Sequence, residues 1–346
     1  MTNRYTRWIE SEERKAAAIH EPFKTLREFE WGLEYLGLGE TADKPEAQIA
    51  AYSDRWFRDA TVYFSPLPIQ PSAFSLDGEK LSFPTPLPSK DERNDRATCT
   101  YFPHASRRGL AIVIPHWNSD GASYDQLGRI IRRTGISVIR VTLPYHGTRG
   151  FAPGAGWPDS TAMVSPNIGR TLLACRQAVQ EVLTLVHWAE SQGYRRIAVV
   201  GASLGSCIGF LAAAHDSRIQ GFFANHMSSY FGDVVWTGLS TEHIRRSIES
   251  HLTREQPRQA WILNSPIAFI PRLLERNAGL RQVIVSGRYD LTFRFDLTQL
   301  QFDEYRREGL SYRACVLPCG HYTLGMYWFK FIDLYLMLRF LRSVCS

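Results

Sequence analysis

Residues 195–207, RRIAVVGASLGSC, constrain the fold of this chain more than any other stretch. Four consecutive apolar residues, Ile197 to Val200, lead into Gly-Ala-Ser-Leu-Gly and then a run that reads as helix. A short apolar run bounded by turn residues predicts a strand buried on both faces, as in a parallel sheet. The turn after it carries one serine at its tip and demands small residues. Ser203 must take an unfavourable backbone conformation there, while Gly201 and Gly205 let strand and helix pass closely. Ser203 is thereby held up from the sheet with a helix N-terminus behind it.

The rest of the chain supplies the partners such a unit needs. Residues 110–114 and 136–141 are predicted as buried strands, with a helix at 123–134 stopped by Gly135. A Gly- and Pro-rich loop occupies 143–169, and Leu172, Cys175, Val179, Val182, Leu183 and Val186 then recur at helical spacing before Gly193. Further strands are predicted at 219–224, 283–285 and 313–317, and further helices at 207–214, at 298–307 and at the C-terminus. Alternating strands and helices predict right-handed crossovers and a mostly parallel sheet.

Two regions break this rhythm. In residues 1–95, a predicted N-terminal helical arm and hairpin, Phe23, Leu26, Phe29, Leu33 and Leu36 form one helical face and 48–57 a second helix. Six prolines between 66 and 88 forbid long helix, and 75–82 reads as a hairpin turning at Asp77-Gly78. Residues 228–276 read as a helical insertion, with a piece at 241–251 and another opened by Thr253-x-x-Gln256. Its aromatics, Tyr230, Trp236, Trp261 and Phe269, are expected mostly to pack, with some lining a pocket.

Composition narrows the function classes. At 346 residues and 44% hydrophobic, the chain can build one large core plus an extension. Its net charge of +6 is dispersed, with no basic stripe or arm, which argues against nucleic acid. Cys99, Cys175, Cys207, Cys315, Cys319 and Cys345 include no C-x-x-C pair, so free thiols in a reducing cytoplasm are expected. No His/Asp/Cys cluster has metal-ligand spacing, and neither metal nor cofactor is expected. The start, MTNRYTRWIESEERK, lacks the apolar run of a secretory signal. Residues 326–341 are too short for a membrane span and contain Lys330, Asp333 and Arg339.

The G-x-S-x-G turn after a buried strand resembles the nucleophile elbow of the α/β-hydrolase superfamily, and the resemblance extends over about residues 98–346. It implies an α/β fold: a mostly parallel sheet flanked by helices, with a core of 96–227 and 277–346 and a lid at 228–276. In that family the order is nucleophile, acid, histidine, the acid following the seventh strand and the histidine the eighth. Residues 283–290, VIVSGRYD, and 316–321, VLPCGH, resemble those two loops and designate Asp290 and His321 beside Ser203. Asp296 and Asp233 compete for the acid, whereas His104, His116, His146 and His226 do not follow a final strand. Cys319 is expected to be a packed thiol.

An oxyanion hole would use the N–H of Leu204 and one from the loop after 110–114. There the family shows His-Gly-X and this chain has His116-Trp117-Asn118, so either Asn118 or Trp117 is the second donor, and Asn118 is expected to bind the oxyanion with Leu204. Residues 143–147, LPYHG, resemble the family's turn after the fourth strand and need no catalytic role. The implied activity is a serine hydrolase cleaving a small-molecule carboxylic ester or thioester through an acyl-enzyme. A peptidase or amidase with the same residues, or a non-catalytic binding protein on this fold, are the alternatives. Neither the role of the arm nor the oligomeric state has a signal in the sequence.

Overall fold

The predicted apolar runs form the centre of a nine-stranded sheet in the computed structural model, which describes residues 4–19, 24–39, 44–119, 121–151 and 160–345. The strands are β1 (Ser75–Asp77), β2 (Lys80–Pro84), β3 (Arg96–Phe102), β4 (Gly109–Ile114), β5 (Ser137–Val141), β6 (Arg196–Ala202), β7 (Ile219–Asn225), β8 (Arg281–Gly287) and β9 (Arg313–Leu317). Their order is β1-β2-β3-β5-β4-β6-β7-β8-β9. The hairpin edge from β1 to β5 pairs antiparallel, and from β5 through β9 all pairing is parallel. The hairpin at 75–82 thus opens the sheet and adds an edge strand. The serine turn follows β6, and the loops carrying Asp290 and His321 follow β8 and β9.

Alternation along each strand divides the core. Leu110, Ile112 and Ile114 pack with Leu172 and Ile208 on one face, under the helices Ile168–Ser191 and Leu204–His215. Ala111 and Val113 pack on the other with Ile131, Leu341 and Ile9, from the helices Ala122–Arg132, Phe329–Cys345 and Arg4–Ala18. Burial on both faces accounts for the uninterrupted apolar runs. Among the described residues no helix is long and apolar enough to cross a membrane. The connection from β4 leads to β5 on one side, while β6 lies on the other. Their C-terminal ends therefore open the crevice where open α/β sheets bind ligands.

The arm departs from its predicted pattern. Phe23 lies outside the described residues, 24–29 carry no regular structure, and only Leu33–Leu36 makes a 3₁₀ turn. Hydrogen bonds to a distant partner prevail over helical spacing here. Glu30 N donates to Pro166 O at 3.2 Å, and Ile168 N and Gly169 N donate to Glu30 O and Trp31 O at 3.0 and 2.9 Å. Gly32, at φ 64°, then turns the chain out of line. The arm's helices are instead Arg4–Ala18, Pro45–Arg58 and Ala60–Phe64. In 228–276 the helices are Phe231–Thr237, Glu242–Ile248, Glu255–Ala260 and Ile270–Asn277, and Thr253 N donates to Gln256 Oε1 at 2.6 Å as the capping pattern predicts. Part of the 143–169 loop, residues 152–159, lies outside the described residues.

Candidate active site

Ser203 occupies the strained tip at φ 55°, ψ −118°. The turn has no room for side chains at its glycines. A Cβ at Gly201 would overlap Gly205 O, and one at Gly205 would overlap Ile114 O. Ser203 N donates to Asn225 O at 2.8 Å, and Ser206 Oγ lies 2.8 Å from both Gly201 O and Asn225 O, so β7 braces the turn from beside it.

The loops after β8 and β9 converge on this tip. His321 Nε2 lies 3.0 Å from Ser203 Oγ, and His321 Nδ1 lies 2.9 Å from Asp290 Oδ2. Asp290 is buried, and its Oδ1 accepts from Thr292 N and Phe293 N, each at 2.7 Å. Burial opposes charge on both partners, yet the pairing outweighs it. Asp290 is held far below the usual carboxylate range by His321 and His226, and Asp290 together with Glu13 raises His321 above the ordinary imidazole value. An imidazole whose Nδ1–H is given to a carboxylate keeps a lone pair on Nε2, the form that can accept a hydroxyl proton. The competing acids are engaged elsewhere: buried Asp233 pairs with Arg258, and exposed Asp296 with Arg294.

The loop after β4 corrects one expectation. Asn118, at φ 65°, turns its N–H away to donate to His146 Nε2 at 3.1 Å. Burial depresses His146 to about 4, and its Nδ1 lies 2.8 Å from Pro144 O, so the neutral ring donates at Nδ1 and accepts at Nε2. Asn118 is therefore not free to meet an oxyanion, and the unexpected task of His146 is to hold that N–H. The Trp117 indole donates to Ser160 O at 3.0 Å and stacks on His243 at 6.0 Å. His116 Nδ1 lies 2.7 Å from Tyr124 OH, fixing the loop.

Two spaces meet at Ser203. A cavity of about 640 Å³ is bounded by Ser203, His321, Trp117, Asn225 and the helices Ala122–Arg132 and Phe329–Cys345. A recess of about 50 Å³ lies between Leu204, Trp117, Tyr230, Phe231 and Phe293. Ser240, from 228–276, lines both. Of the four named aromatics Tyr230 lines the recess, and Trp261 and Phe269 are buried core. All six cysteines are unpaired, and burial pushes the Cys319 thiol upward.

Two further residues belong here, His226, which the sequence offered only as a histidine not following a final strand, and Glu13, which it did not single out. His226, at φ 59°, packs its ring against His321 with centroids 4.4 Å apart and the planes tilted by 34°. Its Nδ1 lies 2.9 Å from Asp290 Oδ2, too poorly aligned for a hydrogen bond. Its signal was topological, because a residue at the end of β7 must neighbour the turn after β6. Glu13, on the first helix, accepts from the backbone of the histidine loop and had no local signal. His226, Asp290 and His321 bring ligand atoms within 4.8 Å of one another. A cation there would strip the proton from His321 Nδ1 and move it to Nε2, reversing the tautomer that faces Ser203.

No family model matches the chain, and no curated protein matches it in sequence. Among solved structures, acetyl xylan esterase 1 from Thermoanaerobacterium sp. is similar at a TM-score of 0.59 and 15% identity, over 88% of this chain and 100% of that one. An acetyl xylan esterase from Paenibacillus sp. R4 follows at 0.58 and 13%, over 88% and 96%. An acylaminoacyl peptidase from Pyrococcus horikoshii matches at 0.55 and 11%, over 71% of this chain and 39% of that one. At such identities the likeness speaks for the fold, and it agrees with the strand order and the strained turn. This chain has the α/β-hydrolase fold.

Proposed function

We propose that the chain is a serine hydrolase cleaving a carboxylic ester or thioester, with Ser203 as nucleophile, His321 as base and Asp290 as the acid that orients it. The observation carrying this reading is the line from Asp290 Oδ2 through His321 to Ser203 Oγ, with links of 2.9 and 3.0 Å, ending on a backbone at φ 55°. His321 Nε2 takes the hydroxyl proton as Oγ bonds to the carbonyl carbon, and Asp290 stabilises the imidazolium. The carbonyl oxygen gains the negative charge and meets the N–H groups of Leu204 and Trp117. Collapse breaks the bond to the alkoxide or thiolate, which leaves with the Nε2 proton. Water then attacks the acyl-enzyme by the same path, releasing the acid and restoring Ser203.

The unequal spaces at Ser203 suit an ester with one bulky arm and one arm of a few heavy atoms. Residues 228–276 act in this reading as a cover, and the unpaired thiols suit a reducing compartment. A fluorophosphonate probe should label the wild type and not Ser203→Ala; an intact protein that never labels would overturn the reading. The acylaminoacyl peptidase among the similar structures favours amide cleavage as the second reading. Faster hydrolysis of a matched anilide than of the ester would establish that alternative.

A further inference from the structure

The first helix, Arg4–Ala18, packs against the histidine loop through Tyr5, Trp8, Ile9, Glu12 and Glu13. Glu13 is fully buried, and Oε2 accepts from His321 N at 2.8 Å while Oε1 accepts from Thr323 N at 2.8 Å. Tyr322 N lies 3.0 and 3.1 Å from the two oxygens. Three consecutive backbone donors thus converge on one carboxylate, as in an anion-binding nest, except that the anion belongs to the same chain. Among the described residues Glu13 has no ion-pair partner, so these backbone donors meet its carboxylate. Gly320 is small for this reason, since a Cβ there would overlap the Glu13 carboxylate.

The helix is anchored to the loops that supply both partners of Ser203. Tyr5 OH donates to Pro318 O at 2.6 Å and its ring meets Tyr289, next to Asp290, edge-on at 5.9 Å. Trp8 packs on Tyr327 at 5.6 Å, and Tyr327 OH donates to Glu12 Oε2 at 3.2 Å. Ile9, wholly buried, shares the core with Leu317 and Leu324 on either side of the loop.

We propose that Glu13 is a positioning residue of the active site: by gathering the N–H groups of residues 321–323 it sets the His321 ring in reach of both Ser203 and Asp290, and this is the task of the N-terminal helix. The proposal rests on the hydrolase reading only for its kinetic consequences, because the placement of the imidazole is measurable without substrate. The groups that face His321 are Asp290, His226, Tyr322, Ser203 and Glu13, with the Cys319 thiol behind; of these, Asp290 and Glu13 carry the charge that favours imidazolium. Removing the Glu13 charge therefore lowers the His321 pKa and moves the acid limb of kcat/KM to lower pH.

The test uses full-length Glu13→Ala and the near-isosteric Glu13→Gln, each checked for folding by circular dichroism. In proton NMR the His321 Nδ1–H shared with Asp290 should give a downfield resonance in the wild type, absent in His321→Gln and lost or broadened in Glu13→Ala. On a reporter ester kcat should fall about 100-fold with KM within about threefold, as a misplaced reacting group predicts. The acid limb of Glu13→Gln should shift to lower pH. Folded variants that keep the resonance, a kcat within twofold and an unmoved acid limb would refute the positioning role. Loss of the resonance in a protein whose wild type hydrolyses nothing would uphold it and remove the hydrolase reading alone.

Discussion

Ser203 and His321 face each other across 3.0 Å but are held by opposite means. The serine turn is locked by backbone packing among adjacent strands, with Gly201, Gly205, Ile114 and Asn225 leaving no slack. The histidine loop is held through one carboxylate, 308 positions away in the chain. A nucleophile can be presented by strain because its geometry is set by the residues beside it. A base that must meet two partners needs its loop satisfied from outside. The contrast predicts that the turn fails by losing the fold and the loop by losing alignment.

The sharpest break is at the chemistry common to both. Ser203→Ala should lower kcat by about 10⁴-fold or more, near 5.5 kcal/mol of barrier, with unchanged thermal unfolding. Asp290→Asn should follow at about 10³- to 10⁴-fold, because the amide favours the wrong imidazole tautomer. A comparable loss in Asp296→Asn instead would displace Asp290 from its role. On the structural side, Gly205→Ala should destabilise by about 3 kcal/mol in denaturant unfolding, since the clash is with backbone that cannot rotate away. Retention of wild-type stability would show the turn to be looser than its packing implies.

Smaller effects sharpen the loop side. His226 and His321 both approach Asp290 at 2.9 Å, but only His321 is aligned as a hydrogen bond. His226→Gln should therefore lower kcat less than about tenfold, whereas His321→Gln should lose about as much as Asp290→Asn. The pH dependence separates them further. In the proposed mechanism His321 acts when neutral, and its pKa is raised, so activity should fall as pH drops through a value above that of a free imidazole. His226 is lowered by burial and by His321, stays neutral there, and should leave that limb in place. Smallest of all, lengthening the arm that enters the recess should lower kcat/KM several-fold, while lengthening the other leaves it nearly unchanged, given spaces of about 50 and 640 Å³. Equal tolerance of both arms would mean that the recess opens in solution.

The same contrast decides what could be read in advance. The alternation of strands and helices, Ser203 at its turn, and the apolar-strand-then-loop settings of Asp290 and His321 were legible in sequence. Buried parallel strands require continuous apolar residues, and a strained turn requires small ones, so both leave local marks. On the loop after β4, sequence could not show that the His146 ring, 28 residues away, takes the Asn118 N–H. The helical face expected from Phe23 to Leu36 gave way, over its described residues, to hydrogen bonds with residues 166–169. Glu13 came into view only in three dimensions, and so did the approach of His226 to Asp290. Propensity and periodicity report how a residue sits among its chain neighbours. The acceptor that satisfies a distant loop is chosen by how the chain closes, and only the tertiary structure records that choice.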